Sequence, residues 1–239
     1  MVSNNQRKQI LQLKQKKYRL LSGYFVAEGE KVVEEILSAS WECVFLFSTV
    51  PNLFPKTVLV NTTEMMKITH FKSPSPVLGV FKFPDAILPV ISNITIAVDG
   101  VSDPGNLGTL IRLCDWFGLS ELICSSSTVD CFNSKVVQAS MGSIVRVQCR
   151  YEKDLSTTLR DLNKPIYSAD FGGESLYSSS FPKQATIVFG SESHGISSEI
   201  DEIVNYKISI PNFRKGRGAE SLNVAIAGAI FLSEIFRVR

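Results

Sequence analysis

From Ile94 onward the chain alternates short apolar runs with helical patterns, and three of those runs end on a glycine or proline before a polar loop. Ile94 to Val98 leads into Asp99-Gly100 and then Asn106-Leu107-Gly108, with Arg112 beyond. Ala185 to Phe189 leads into Gly190-Ser191-Glu192-Ser193-His194-Gly195. Tyr206 to Ile210 leads into Pro211, a basic glycine-rich loop, and Glu220-Ser221-Leu222-Asn223 at the head of an apolar helix. A strand that is apolar along its whole length belongs inside a parallel sheet covered on both faces. Strand–helix alternation builds such a sheet, and ligands bind at the carboxyl ends of its strands. The expected fold class is therefore α/β, a mostly parallel sheet with helices on both faces.

The elements predicted for this part are strands at 94–98, 121–124, 145–147, 165–169, 185–189 and 206–210, and helices at 106–117, 133–143, 155–162 and 222–237. Asn133 or Ser134 caps the second of these helices, and Ser221 caps the last. The N-terminal third reads as a smaller α/β unit. A basic surface helix covers 3–21, with apolar Ile10, Leu11, Leu13, Leu20 and Leu21. Strands follow at 24–27, 44–47, 58–60 and 77–81, with helices at 29–37 and 63–68, the latter capped by Thr62 or Thr63. Prolines at both ends of 84–89 mark a linker. The division expected is 1–84, a linker at 85–93, and 94–239.

Composition narrows the function classes. The 239 residues are 44% hydrophobic and 20% charged, enough for a sizeable core without metal or disulfide staples. Five cysteines without CxxC spacing and two distant histidines give no metal-ligand pattern, so no metal is expected, and the thiols suit a reducing compartment. No leader pattern opens the chain and no apolar run is long enough for a membrane span, so a cytoplasmic location without membrane partners is expected. The net charge is only +2, yet Arg7, Lys8, Lys14, Lys16, Lys17 and Arg19 come without an acidic residue between them, and Arg214, Lys215 and Arg217 form a second cluster. Two such patches suit either solvated surfaces or a polyanion touched at defined places.

The three loops lack the GxGxxG of dinucleotide sites and the Gly-Lys-Ser/Thr of P-loops. Alone, Arg112 reads as a surface arginine, Glu192 as a residue near a helix cap, His194 as incidental, and Ser221 as a cap. Asn223, one turn into an apolar helix, is harder to explain by packing. Taken in order, Asn106, Gly108 and Arg112, then Gly190-x-Glu192-x-x-Gly195, then Ile210-Pro211 and Ser221-Leu222-Asn223-Val224 resemble the SpoU (TrmH-type) branch of the SPOUT RNA methyltransferases. The segment from Lys14 to Glu35 resembles that family's ribosomal-protein-like substrate-binding extension.

The resemblance implies methyl transfer from S-adenosylmethionine (SAM) to a ribose 2′-hydroxyl, in a homodimer whose catalytic domain holds a trefoil knot. It implies catalytic roles for Arg112, Asn106, Glu192, Ser221 and Asn223, and a cofactor resting on Gly190, Ser191, Ile210, Leu222 and Ser221. The RNA would be gripped by the two basic clusters, ribosomal RNA being preferred over transfer RNA. The alternative is a non-catalytic RNA-binding protein on the same fold. The loop from Asn212 to Gly218 is longer and more basic than the family pattern, and is where a departure is expected.

Overall fold

The computed structural model describes residues 2–85, 92–214 and 221–237. It divides into two compact units: Met1–Ile87 with Asp130–Val145, and Leu88–Val129 with Arg146–Arg239. The chain thus leaves the second unit after Val129 and re-enters it at Arg146, so the contiguous division expected from the sequence misses a segment that packs with the N-terminal third. Most of the expected linker, 86–91, lies outside the described residues.

In the first unit, α1 (Asn4–Gln12) and α2 (Lys16–Ser22) replace the single helix expected over 3–21. Ser3 and Gln6 form a capping box on α1, and Gly23, at φ +72°, ends α2. Then come β1 (Tyr24–Glu28), α3 (Glu30–Ser38), β2 (Cys43–Ser48), β3 (Val58–Leu59), α4 (Thr62–Met66) and β4 (Val77–Lys82). The sheet order is β1-β4-β2-β3, antiparallel except for the β2–β3 pair. Asn61, not Thr62 or Thr63, caps α4, accepting from Glu64 N at 2.8 Å.

The inserted segment is fastened to this unit by three kinds of contact. Phe132 stacks on Phe83 with ring centroids 4.4 Å apart and meets Phe25 at 4.9 Å. Ser134 Oγ lies 3.1 Å from His70 Nδ1. Asp130 Oδ2 accepts from Arg19 Nη2 at 2.6 Å and Nε at 2.8 Å, while Arg19 Nη1 donates to the Leu13 and Lys14 carbonyls. Arg19 is only 2% exposed. Its expected contact with RNA is therefore corrected: its nitrogens are directed at protein acceptors away from solvent. Leu20 and Leu21, expected on an apolar helix face, are instead exposed.

The second unit contains β5 (Ile94–Asp99), α5 (Pro104–Trp116), β6 (Glu121–Ser125), β7 (Gln148–Glu152), α7 (Leu155–Asp161), β8 (Ile166–Ser175), β9 (Ala185–Gly190), α8 (Ser198–Asp201), β10 (Tyr206–Ser209) and α9 (Val224–Arg237); α6 (Ser134–Ala139) belongs to the insertion. Its sheet is parallel throughout, in the order β10-β8-β9-β5-β6-β7. The continuous apolar runs are the central strands β5 and β9, as full burial requires. The strand expected at 145–147 is a 3-10 turn at Ser143–Val145, and the true strand, β7, lies just beyond. Its sequence, Gln-Cys-Arg-Tyr-Glu, is half-buried throughout because an edge strand needs little apolar surface.

Removing one partner of a buried ion pair leaves the other uncompensated, a loss of about 3–5 kcal/mol. Arg19→Met should lower stability by that order in denaturant titration, and Arg19→Met with Asp130→Leu should recover part of it. His70 donates from Nε2 to the Ile10 carbonyl at 2.8 Å. Burial pushes its imidazole down to about 4, and the Lys14 and Arg19 charges act the same way against the Ile10 bond. Between about 6.5 and about 4 the unfolded chain takes up a proton that the folded chain refuses, so this group makes stability fall as pH is lowered. Glu28, raised by burial, slopes the other way above the ordinary carboxylate range. In thermal melts, His70→Asn should lose midpoint less steeply than the native chain from pH 6.5 to 4.

Candidate functional site

Helix α5 opens on Asp103, whose carboxylate accepts from Asn106 N at 2.9 Å, with Pro104 in the first turn. Asn106 therefore lies inside the first turn rather than at the helix start, and its side chain is left to reach across. The loop after β9 owes its shape to two glycines. Ser191 and Gly195 exchange both backbone hydrogen bonds at 2.9 Å, and His194 N donates to Ser191 Oγ at 3.1 Å. A Cβ on Gly190 would lie 2.1 Å from the Gly195 carbonyl carbon, and Gly195 itself adopts φ +69°. No larger residue fits the first position, and few tolerate the second. Glu192 projects from this closed loop. The buried Asp99 at the end of β5 accepts from Ser197 N at 2.7 Å and ties the loop's far side to the sheet.

The third loop corrects an expectation. Helix α9 begins at Val224, and Asn223, not Ser221, caps it: Asn223 Oδ1 accepts from Ala225 N at 3.0 Å and Ile226 N at 3.2 Å. This resolves why an asparagine opens an apolar helix. Its amide is thereby oriented, because the oxygen faces the helix and Nδ2 must face outward. Nδ2 donates to Asn106 Oδ1 at 2.7 Å, and Asn106 Nδ2 in turn donates to Glu192 Oε1. The three loops are thus joined by one directional chain running from the α9 N-terminus to a carboxylate.

Beside this chain lies a cavity of about 630 Å³, within the size range of small-molecule sites. Gly190, Ser191, Glu192, Ile210, Ser221 and Leu222 all line it, over an apolar floor that includes Phe189, Ile208, Val224 and Phe231. Every residue expected to hold the cofactor therefore meets at one cavity. Of the expected catalytic set, Glu192 and Ser221 line it, and Asn106 and Asn223 connect to it through hydrogen bonds. Arg112 does not join them: it is exposed on α5, and its guanidinium pairs with no other described residue. His194, read as incidental, lines the cavity with Nδ1 2.7 Å from Ser193 Oγ.

Among the expected RNA contacts, Arg7, Lys8, Lys14, Lys16 and Lys17 are exposed on the first unit, and Arg7 and Lys8 border a shallow groove along α1. Arg214 is exposed at the cavity in the second unit, whereas Lys215 and Arg217 lie outside the described residues, as does most of the basic loop. Among the described residues no group of three His, Cys, Asp or Glu side chains is placed to hold a metal ion, and no helix is long and apolar enough to cross a membrane. Sequence reasoning missed Asp99 as a tether, Phe171 and Phe213 on the cavity wall, and the capping role of Asn223. Only the last left a signal, an asparagine directly before a run of apolar helix formers.

A parallel α/β unit with a cavity at the carboxyl ends of its strands, walled by three hydrogen-bonded loops, defines a small-ligand α/β enzyme fold. The chain belongs to the SpoU rRNA Methylase family, which its residues 93–233 match, and residues 4–79 match the MRM3-like substrate binding domain. It is similar to a TrmH-family protein from Porphyromonas gingivalis, 36% identical with a TM-score of 0.87 over 100% of both chains. It is also similar to an AdoMet-bound rRNA methyltransferase from Sinorhizobium meliloti, 30% identical with a TM-score of 0.84 over 100% of this chain and 96% of that one. Among curated proteins, the 23S rRNA (guanosine(2553)-2′-O)-methyltransferase RlmP of Bacillus subtilis is 25% identical over 91% of this chain and 90% of its own length.

Because Asn223 both caps α9 and orients Asn106, its loss should be felt twice. Asn223→Ala should lower stability by about 0.5–2 kcal/mol in denaturant titration. Asn223→Asp should keep the cap, since a carboxylate accepts from the same N–H groups, yet lose the donor to Asn106. Activity of the Asp variant should fall while its stability holds, which separates the two roles.

Proposed function

We propose that this chain is a SAM-dependent RNA methyltransferase that places a methyl group on a ribose 2′-hydroxyl of ribosomal RNA. The observation that carries this reading is the Asn223–Asn106–Glu192 chain at the mouth of the cavity. The cavity suits the cofactor: its volume accommodates a nucleoside-sized molecule, its floor is apolar, and backbone groups around Gly190, Ile210 and Leu222 border it. SAM, when bound there, supplies an electrophilic methyl group on a positively charged sulfur.

The protein's own contribution is positional and electrostatic. Glu192 Oε1 is engaged by Asn106, which leaves Oε2 to accept from the ribose hydroxyl as that group loses its proton. Ser221, exposed at the cavity wall, supplies a further hydroxyl toward the ribose. Arg112 stays protonated and is a poor base, so its role is to stabilise negative charge developing on the ribose oxygen or to hold a substrate phosphate. Six residues along α5 place it about 9 Å from Asn106 along the helix axis. A homodimer, in which a second copy approaches this helix, is part of the reading. Holding oxygen and methyl in line contributes up to about 7–11 kcal/mol in favourable cases. The first unit, with its exposed Arg7, Lys8, Lys14, Lys16 and Lys17, grips the RNA, and the trefoil knot and a cytoplasmic location complete the proposal.

The test is transfer of labelled methyl from SAM to ribosomal RNA taken from cells lacking the protein, with mapping of 2′-O-methyl positions. The native chain should modify a discrete site. Asn106→Ala should lower turnover about 100-fold, the scale expected when a reacting group is misplaced by about 1 Å, while calorimetry shows SAM affinity little changed. Absence of SAM binding by the native chain would instead favour a non-catalytic RNA-binding protein.

A further inference from the structure

Of the chain's 15 phenylalanines, 13 are buried or half-buried. The two exposed ones are Phe171, at 69%, and Phe213, at 84%, and both line the cavity already described. Leaving a phenyl ring in water forgoes about 1.5–3 kcal/mol of burial, so two such rings at one rim need a cause.

The backbone around each ring shows how it is held out. Strand β8 pairs with β10 at Tyr167 and Ser168, then resumes at Glu174 and Ser175 opposite consecutive residues of β10. Residues 169–173 therefore have no counterpart on β10 and form a wide bulge, with Phe171 at its middle. Bulges of this kind re-aim side chains beside functional sites. Two glycines close it: Gly172 takes φ +75°, and a Cβ on Gly173 would lie 2.3 Å from the Lys207 carbonyl oxygen. At the second ring, Arg214 N donates to Asn212 Oδ1 at 2.9 Å, which pins the backbone on either side of Phe213. Arg214 is exposed at the same rim. The buried rings of Phe189 and Phe231 already supply the cavity's apolar floor, so the exposed pair is not needed there.

We propose that Phe171 and Phe213 form a stacking platform for an unpaired nucleobase of the substrate RNA, with Arg214 taking a neighbouring phosphate. This rests on the reading of the cavity as a site that acts on RNA. A ribose presented to the cavity brings its own base and the adjoining phosphates to the rim, and splayed bases are recognised by stacking on aromatic faces. Such stacking tolerates any base, so the pair sets the requirement for an unstacked nucleotide rather than its identity.

The experiment measures binding of a short single-stranded RNA carrying 2-aminopurine, by fluorescence, to the native chain and to Phe171→Ala, Phe213→Ala and the double variant. SAM affinity is taken by calorimetry and oligomeric state by sedimentation. Each single variant should weaken RNA binding about fivefold or more, Phe171→Trp should restore it, and SAM affinity should not move. Unchanged RNA affinity in the double variant overturns the proposal. So does a loss confined to SAM affinity, which would assign the rings to the cofactor, or a change confined to oligomeric state, which would assign them to a second copy of the chain. Because the RNA readout is independent of methyl transfer, failure of the native chain to methylate ribosomal RNA would count against the enzymatic reading alone.

Discussion

The candidate site depends on the orientation of one amide. Asn223 must turn its oxygen to the open N–H groups at the start of α9, since a helix leaves those donors without internal acceptors. Its nitrogen then donates to Asn106, and the nitrogen of Asn106 to Glu192. An amide has one donor end and one acceptor end, so the polarity established at the helix passes along both side chains without ambiguity. Glu192 is held by the Asn106 amide, whose orientation traces back to the backbone of a helix that begins 32 residues later in the chain. The loop glycines, the Asp103 cap and the Asp99 tether serve the same end, because each sets the position of one member of this chain.

The first unit has a comparable dependence on Arg19. Its guanidinium joins α2 to the inserted segment through Asp130 and back to the turn after α1 through two carbonyls. A cation read as an RNA contact is thereby an internal strut, while its neighbours Lys16 and Lys17 remain exposed. The distinction is physical: Arg presents several donors in a planar fork that a carboxylate and carbonyls can satisfy together, whereas the ammonium of Lys is strongly hydrated and stays in water.

Much of the fold was legible. Continuous apolar runs announced β5 and β9, and alternation with helical patterns announced a parallel sheet, because burial on both faces leaves that mark. The loops at the strand ends, and the family they resemble, were legible from Asn106, Glu192, Asn223 and the glycines around them. Edge strands were less so: β7 carries no apolar signature because solvent covers one side of it. The break between α1 and α2 was hidden in a uniformly basic stretch. The insertion of 130–145 into the first unit was hidden because Phe132, Asp130 and Ser134 meet partners far away in sequence.

By itself, the sequence determined the class of fold, the three loops and the residue types that gather at them, since periodicity, glycine and helix caps are local properties. Tertiary structure alone decided which of those residues act together. It made Asn223 a cap and a relay, drew Arg19 inward, left Arg112 apart from the others, and held Phe171 out on a bulge. The reason is that a side chain's role follows from what stands opposite it, and here those opposite groups come from strands and helices that only the folded sheet brings together.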